Sequence, residues 1–102
     1  MSEARNTRRW AERTYGKYGE RAVAMAVVCR EQGLRDLVVP VADIPSCIPK
    51  LAEKSRSMAQ CMEGGFGARR CSHPPVVCLI ADSGFVGFFC EPHGEKRVVR
   101  LG

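Results

Sequence analysis

The stretch from Arg70 to Gly94, RCSHPPVVCLIADSGFVGFFCEPHG, constrains this chain more than any other. It opens with Cys71 and His73 and closes with Cys90 and His93. Between these pairs, Val76 to Ala81 and Phe85 to Cys90 read as two apolar strands joined at Asp82-Ser83-Gly84, with Gly84 suited to the turn. A hairpin brings its two ends together, so the thiols and imidazoles should meet at its open end. Four soft donors converging there point to a structural Zn2+ site.

The second pair is the better formed. Cys90-Glu91-Pro92-His93 is a C-x-x-H turn directly after a strand, stiffened by Pro92 and released by Gly94. Cys71-Ser72-His73 has one intervening residue, which in extended chain sets both side chains on one side. The expected ligands are Cys71, His73, Cys90 and His93, with Cys61 as the alternative fourth. Cys29, Cys47 and Cys78 lie in apolar surroundings and read as small buried hydrophobes. Unmetallated core thiols with two surface histidines would leave the same sequence trace. The hairpin with its C-x-x-H turn is similar to half of a zinc ribbon or treble-clef finger. That similarity covers about a quarter of the chain, lacks the usual C-x-x-C knuckle, and implies no activity.

A chain of 102 residues suits one domain with a modest core, for which a metal staple is useful. With one Trp, two Tyr and four Phe, that core must be mostly aliphatic. Six cysteines also raise a disulfide framework. The opening residues MSEARNTRRW lack the apolar core of a secretory signal, so reduced thiols and a cytoplasmic location are expected. No run of 18 apolar residues suggests a membrane span.

The first 33 residues form a basic helical segment. Trp10, Thr14, Tyr18, Ala22, Met25, Ala26 and Cys29 recur at helical spacing and predict an apolar stripe. Gly16 and Gly19 predict a break or kink near Gly16, and Gly33 a stop. Beside the stripe, Arg5, Arg9, Arg13, Lys17 and Arg21 follow at steps of four, with Arg8 adjacent. This is either a solvated face or a surface that tracks phosphates, with Trp10, Tyr15 and Tyr18 as stacking candidates. Two of those aromatics, Trp10 and Tyr18, lie on the apolar stripe, which favours a core role for them.

Residues 34–68 predict a short strand, Arg35 to Val41, at a sheet edge because Pro40 lacks an N–H. A helix from Ile48 to Glu63, ended by Gly64-Gly65, should follow. Residues 69–102 hold the hairpin and a last strand from Arg97 to Leu101. The expected fold is therefore α+β in a single domain, with two or three helices on a small antiparallel sheet and a zinc-ribbon-like C-terminal hairpin.

Net charge is +5, of which residues 1–21 carry +3 (six basic, three acidic) and residues 69–102 carry +2 (five basic, three acidic). Such a balance excludes a protein that imitates DNA by its own negative charge and favours an acidic partner. No H-E-x-x-H, H-x-E…P-C-x-x-C, P-loop or dinucleotide fingerprint is present, so no enzyme is expected. Two functions remain. One is a zinc-stabilised binding protein for nucleic acid or a nucleoprotein complex. The other is a protein–protein inhibitor or adaptor that meets an acidic protein face or a host complex, for instance one encoded by a phage or mobile element, and homo-oligomers suit either.

Overall fold

The computed structural model describes residues 2–64 and 70–101, with side chains from Arg5 onward. Gly65, the Phe66-Gly67-Ala68 link and Arg69 lie outside the described residues. The fold is α+β, with five helices and a three-stranded antiparallel sheet among the described residues.

The N-terminal segment breaks where the glycines predict. Helix α1 spans Ser2–Tyr15, a 3-10 turn covers Gly16–Tyr18, and helix α2 spans Glu20–Glu31. Gly19 sits between them at φ 105°, a left-handed conformation that costs most residues a Cβ clash. At the far end, Gly33 at φ 82° closes α2. Its N–H bonds the Arg30 carbonyl at 3.0 Å while the Leu34 N–H bonds Cys29 at 2.9 Å, the double cap that lets a chain leave a helix sharply.

Strand β1 (Leu37–Pro40) is an edge strand, as Pro40 predicts, and pairs antiparallel with β2 (Val77–Ile80). Strand β3 (Val86–Phe89) pairs on the other side of β2 through the expected hairpin, with Gly84 at φ 100°. The register places Cys78 beside Val39 and Phe88, and Ile80 beside Leu37 and Val86. These side chains form one face and join Tyr15, Tyr18, Ala22 and Ala26 in the main core. The opposite face, with Leu79 and Phe89, joins Cys61 and Cys90 in a smaller second core. Both faces are covered, which explains why both hairpin strands are apolar at nearly every position.

The outward-facing atoms of the sheet are met by sulfur. On β1, the Cys29 Sγ lies 3.5 Å from the Val38 N and 3.6 Å from its carbonyl oxygen. On β3, the Phe88 N–H points to the Met62 Sδ at 3.2 Å, and the Met62 N–H donates to the Phe88 carbonyl at 2.8 Å.

Three expectations are corrected here. The helix expected from Ile48 to Glu63 is a helix α3 (Ile44–Cys47), a 3-10 turn (Pro49–Leu51) and a helix α4 (Ala52–Ser57). Met58 is extended at φ −87°, ψ 98°, because the next residues bond elsewhere: the Cys61 N–H donates to the His73 carbonyl at 2.8 Å. The segment Glu91–Arg97, expected to be a turn leading into a strand, is helix α5. Pro92 in its first turn, Glu91 beside it, and Lys96 and Arg97 in the last turn all suit a helix and its dipole. Of the expected strand from Arg97 there remains one bridge, Leu34 to Arg100.

Tyr15 is fully buried, and its hydroxyl donates to the Ile80 carbonyl at 2.8 Å. Burial pushes this phenol up to about 12, against the opposing Leu37 backbone N–H. Burial likewise pushes the Cys78 thiol up to about 12. Unfolded, the two groups ionise at about 9 (Cys) and 10 (Tyr). Above those values the unfolded chain loses protons that the folded chain keeps, so stability falls as pH rises toward 12. Tyr15→Phe should cost about 1 kcal/mol at neutral pH by removing the buried hydrogen bond, and should flatten the alkaline part of this decline. Denaturant melts at pH 7, 9 and 10.5 measure both effects.

Candidate metal centre

Three segments that are distant in sequence deliver Cys61, Cys71, Cys90 and His93 to one point. Cys90 lies between the end of β3 and the start of α5, and His93 lies in that helix's first turn. That spacing brings the His93 Nδ1 to 3.2 Å from the Cys90 Sγ. Cys61 and Cys71 arrive on extended chain held by backbone bonds: Cys61 N–H to the His73 carbonyl at 2.8 Å, and Cys71 N–H to the Glu63 carbonyl at 2.9 Å.

The ligand atoms of these four residues lie within 4.8 Å of one another and could hold a metal ion. The His93 Nδ1 stands 3.2 Å from the Cys90 Sγ and 3.5 Å from the Cys61 Sγ. The Cys71 and Cys90 sulfurs are 3.9 Å apart. Cys61 and Cys90 are buried, and Cys71 and His93 half-buried.

Of the residues singled out in the sequence, the structure brings together Cys71, Cys90, His93 and the alternative, Cys61. His73 is not in that group of four. That ring is exposed, with its Nδ1 3.4 Å from the Cys71 Sγ and outside the group of four, while its backbone carbonyl holds Cys61 in place. The zinc-ribbon likeness of the hairpin is not confirmed, since the second ligand pair stands at the start of α5 and not in a turn leading to a strand. Cys29 and Cys78 are buried away from the centre, and Cys47 is half-buried against the main core.

Polar contacts around the centre bear on its ionisation. Burial opposes ionisation of the Cys61 thiol. The backbone N–H groups of Cys90 and Glu63, with the Cys90 and Cys71 thiols, outweigh it and hold the group below its usual value. Cys90 goes the other way: burial raises it, with the neighbouring thiols, against the opposing His93 N–H. One thiolate is thus favoured first, and a cation would draw out the others. Glu63 and Arg97 form an ion pair at 2.7 Å that ties the Cys61 segment to the end of α5. Arg97 also lies over the Phe89 ring at 5.2 Å. The Arg97 hydrogen bond holds the Glu63 carboxyl below its ordinary range.

The basic residues lie on the other side of the main core. Arg5, Arg8, Arg9, Arg13, Lys17 and Arg21 are all exposed. The chain turns after Tyr15, so Arg5, Arg8, Arg9 and Arg13 lie on α1, Lys17 in the 3-10 turn and Arg21 on α2, rather than along one continuous helix. Arg8 is shared by Glu12 at 3.9 Å and Glu20 at 3.4 Å, and Arg21 donates to the Ser46 carbonyl at 3.2 Å. Arg5, Arg9 and Arg13 have no carboxylate partner among the described residues. The aromatic platform is absent: Tyr15 and Tyr18 are buried, and one face of Trp10 is taken by the Arg30 guanidinium, 3.7 Å from the ring centre. Arg30 was not singled out by sequence reasoning, since a lone basic residue in the last turn of a helix reads as a dipole partner.

No helix among the described residues is long and apolar enough to cross a membrane. No protein-family model, curated protein or solved structure matches this chain.

Proposed function

We propose that the ion is zinc, held as a structural staple, in a small non-enzymatic protein that binds nucleic acid or a nucleoprotein complex through α1. Zinc bonded at about 2.3 Å to sulfur and about 2.1 Å to nitrogen gives tetrahedral edges of about 3.8 Å (S–S) and about 3.6 Å (S–N). The separations of 3.9, 3.5 and 3.2 Å lie close to these. A set of four protein ligands leaves no position for water or substrate, which is the structural rather than the catalytic pattern.

The single observation that carries the binding role is the unpaired basic surface of α1. Arg5, Arg9 and Arg13 keep their guanidinium groups in solvent, with Arg8, Lys17 and Arg21 contributing charge nearby. With no aromatic platform, contact falls on phosphates, so binding should be steeply salt-dependent and nearly indifferent to sequence. Reversing Arg5, Arg9 and Arg13 to Glu together should abolish a gel shift that the wild-type chain produces; an unchanged shift overturns the reading.

The inhibitor or adaptor reading has one observation behind it. A recess of about 450 Å³ beside α4 is lined by Met58, Ala59 and Met62, with Lys54 at its rim. Methionine-rich surfaces adapt to partner side chains. A partner captured there would survive nuclease treatment and moderate salt, whereas one held by α1 through nucleic acid would not.

A further inference from the structure

Between α1 and α2 lies a second recess, of about 340 Å³, lined by Asn6, Thr7, Trp10, Arg13 and Arg30. Its two arginines come from different helices and converge on one space. Neither forms an ion pair with a carboxylate among the described residues. Arg30 is unusual in a further way: its Nε is buried and has no hydrogen-bond partner among the described residues. A buried donor on a charged group costs free energy when it bonds nothing, so a position like this calls for an acceptor.

Trp10 explains how the group is held ready. The Arg30 guanidinium lies 3.7 Å from the indole centre, and Trp10 in turn meets Tyr15 edge-on, at 5.6 Å between ring centres and 86° between planes. Tyr15 is anchored in the main core by its bond to Ile80. A guanidinium stacked on a ring keeps its flat fork of N–H donors directed sideways, which is the geometry that grips an oxyanion with two parallel bonds. Asn6 and Thr7 add short polar side chains to the same wall.

We infer that this recess is a phosphate seat, built from Arg30 and Arg13 and taking an oxyanion of a nucleic-acid backbone. The inference rests on the binding role proposed above and specifies where the backbone is gripped. It also makes Trp10 a support for Arg30 rather than a platform for a base.

Trp10 is the only tryptophan, so its fluorescence reports on this recess directly. The probes are inorganic phosphate, a short oligothymidylate, and a peptide nucleic acid of the same sequence, all at matched ionic strength. Oligothymidylate should shift the Trp10 emission and the uncharged backbone should not. Arg30→Gln should weaken oligothymidylate binding at least about tenfold and lower the slope of log affinity against log salt by about 0.7. Arg13→Gln, on an exposed side chain of the opposite wall, should act in the same direction and controls for any loss of folding in Arg30→Gln.

If oligothymidylate binds and both variants match wild type in affinity and slope, the seat is overturned while the α1 reading stands. If oligothymidylate does not bind but inorganic phosphate shifts Trp10 in an Arg30-dependent way, the seat stands, its ligand is free phosphate, and the nucleic-acid reading falls. If the peptide nucleic acid shifts Trp10 as strongly as oligothymidylate, or if no probe shifts it, the seat is overturned.

Discussion

Chelation, or replacement of any one of Cys61, Cys71, Cys90 and His93, should lower the melting temperature by more than about 16 °C. Loss of a structural metal is among the few changes that exceed about 4 kcal/mol, and a domain of this size loses about 4 °C or more for each kcal/mol. The reason is visible in the second core. Cys61 and Cys90 make up half of its four buried members, with Leu79 and Phe89, and without an ion the three ligand segments have little else to bury. Purified protein should carry one zinc per chain by elemental analysis. Cys61→Ser should lose it, and His73→Ala should keep it, because the His73 ring lies outside the four and its contribution to Cys61 comes from the backbone. Zinc that survives Cys61→Ser but is lost in His73→Ala would restore the ligand set first expected from the sequence. The affinity should also fall on acidification, since three thiols and an imidazole must shed protons to bind.

The second large effect should come from Gly94→Ala. Gly94 is buried in the middle of α5, and a Cβ added there would fall against the Val77 Cγ1, well inside van der Waals contact, with the Phe89 Cβ at 3.7 Å. The helix would have to lift from the sheet, and His93, one residue earlier, would lift with it. Overpacking of this kind costs about 1–3 kcal/mol, and here it should also weaken zinc binding. Val77→Ala removes the methyl group that is struck. The double variant should therefore recover most of both losses, a coupling readable in a double-mutant cycle. Full additivity of the two substitutions would mean that α5 docks in some other way.

The elements that were legible in the sequence are those whose signals are local. The break at Gly16–Gly19, the Gly33 stop, the Pro40 edge strand and the Asp82–Gly84 hairpin each rest on residues with few backbone options. Cys90 and His93 were legible for the same reason, as a close pair on a short turn. Cys61 was legible only as the alternative to His73, because the spacing of Ile48, Leu51, Ser55, Met58 and Met62 continues a helical stripe past the point where the helix ends. Met58 and Met62 are apolar on another account: they line the recess beside α4, and Met62 bonds the edge of β3. Those are contacts with residues up to 26 positions away, and periodicity does not register them. Helix α5 was hidden by its brevity, with Gly94 in its middle reading as a stop when it is in fact a point of close approach. The pairing of Arg30 with Trp10 across two helices has no local signature at all.

The sulfur contacts along the sheet have a consequence for self-association. Small sheets tend to recruit further copies through bare edge strands, yet here the outward atoms of Val38 are engaged by Cys29, Pro40 has no N–H to offer, and Phe88 is engaged by Met62. Strand-by-strand growth is thereby discouraged without the charged edge residues that usually do the work. The protection is chemical rather than electrostatic, and it is only as durable as a thiol and a thioether. Peroxide converts the thioether to a polar sulfoxide, while burial pushes the Cys29 thiol up and slows its oxidation, so a sample oxidised at Met62 should be the one that aggregates.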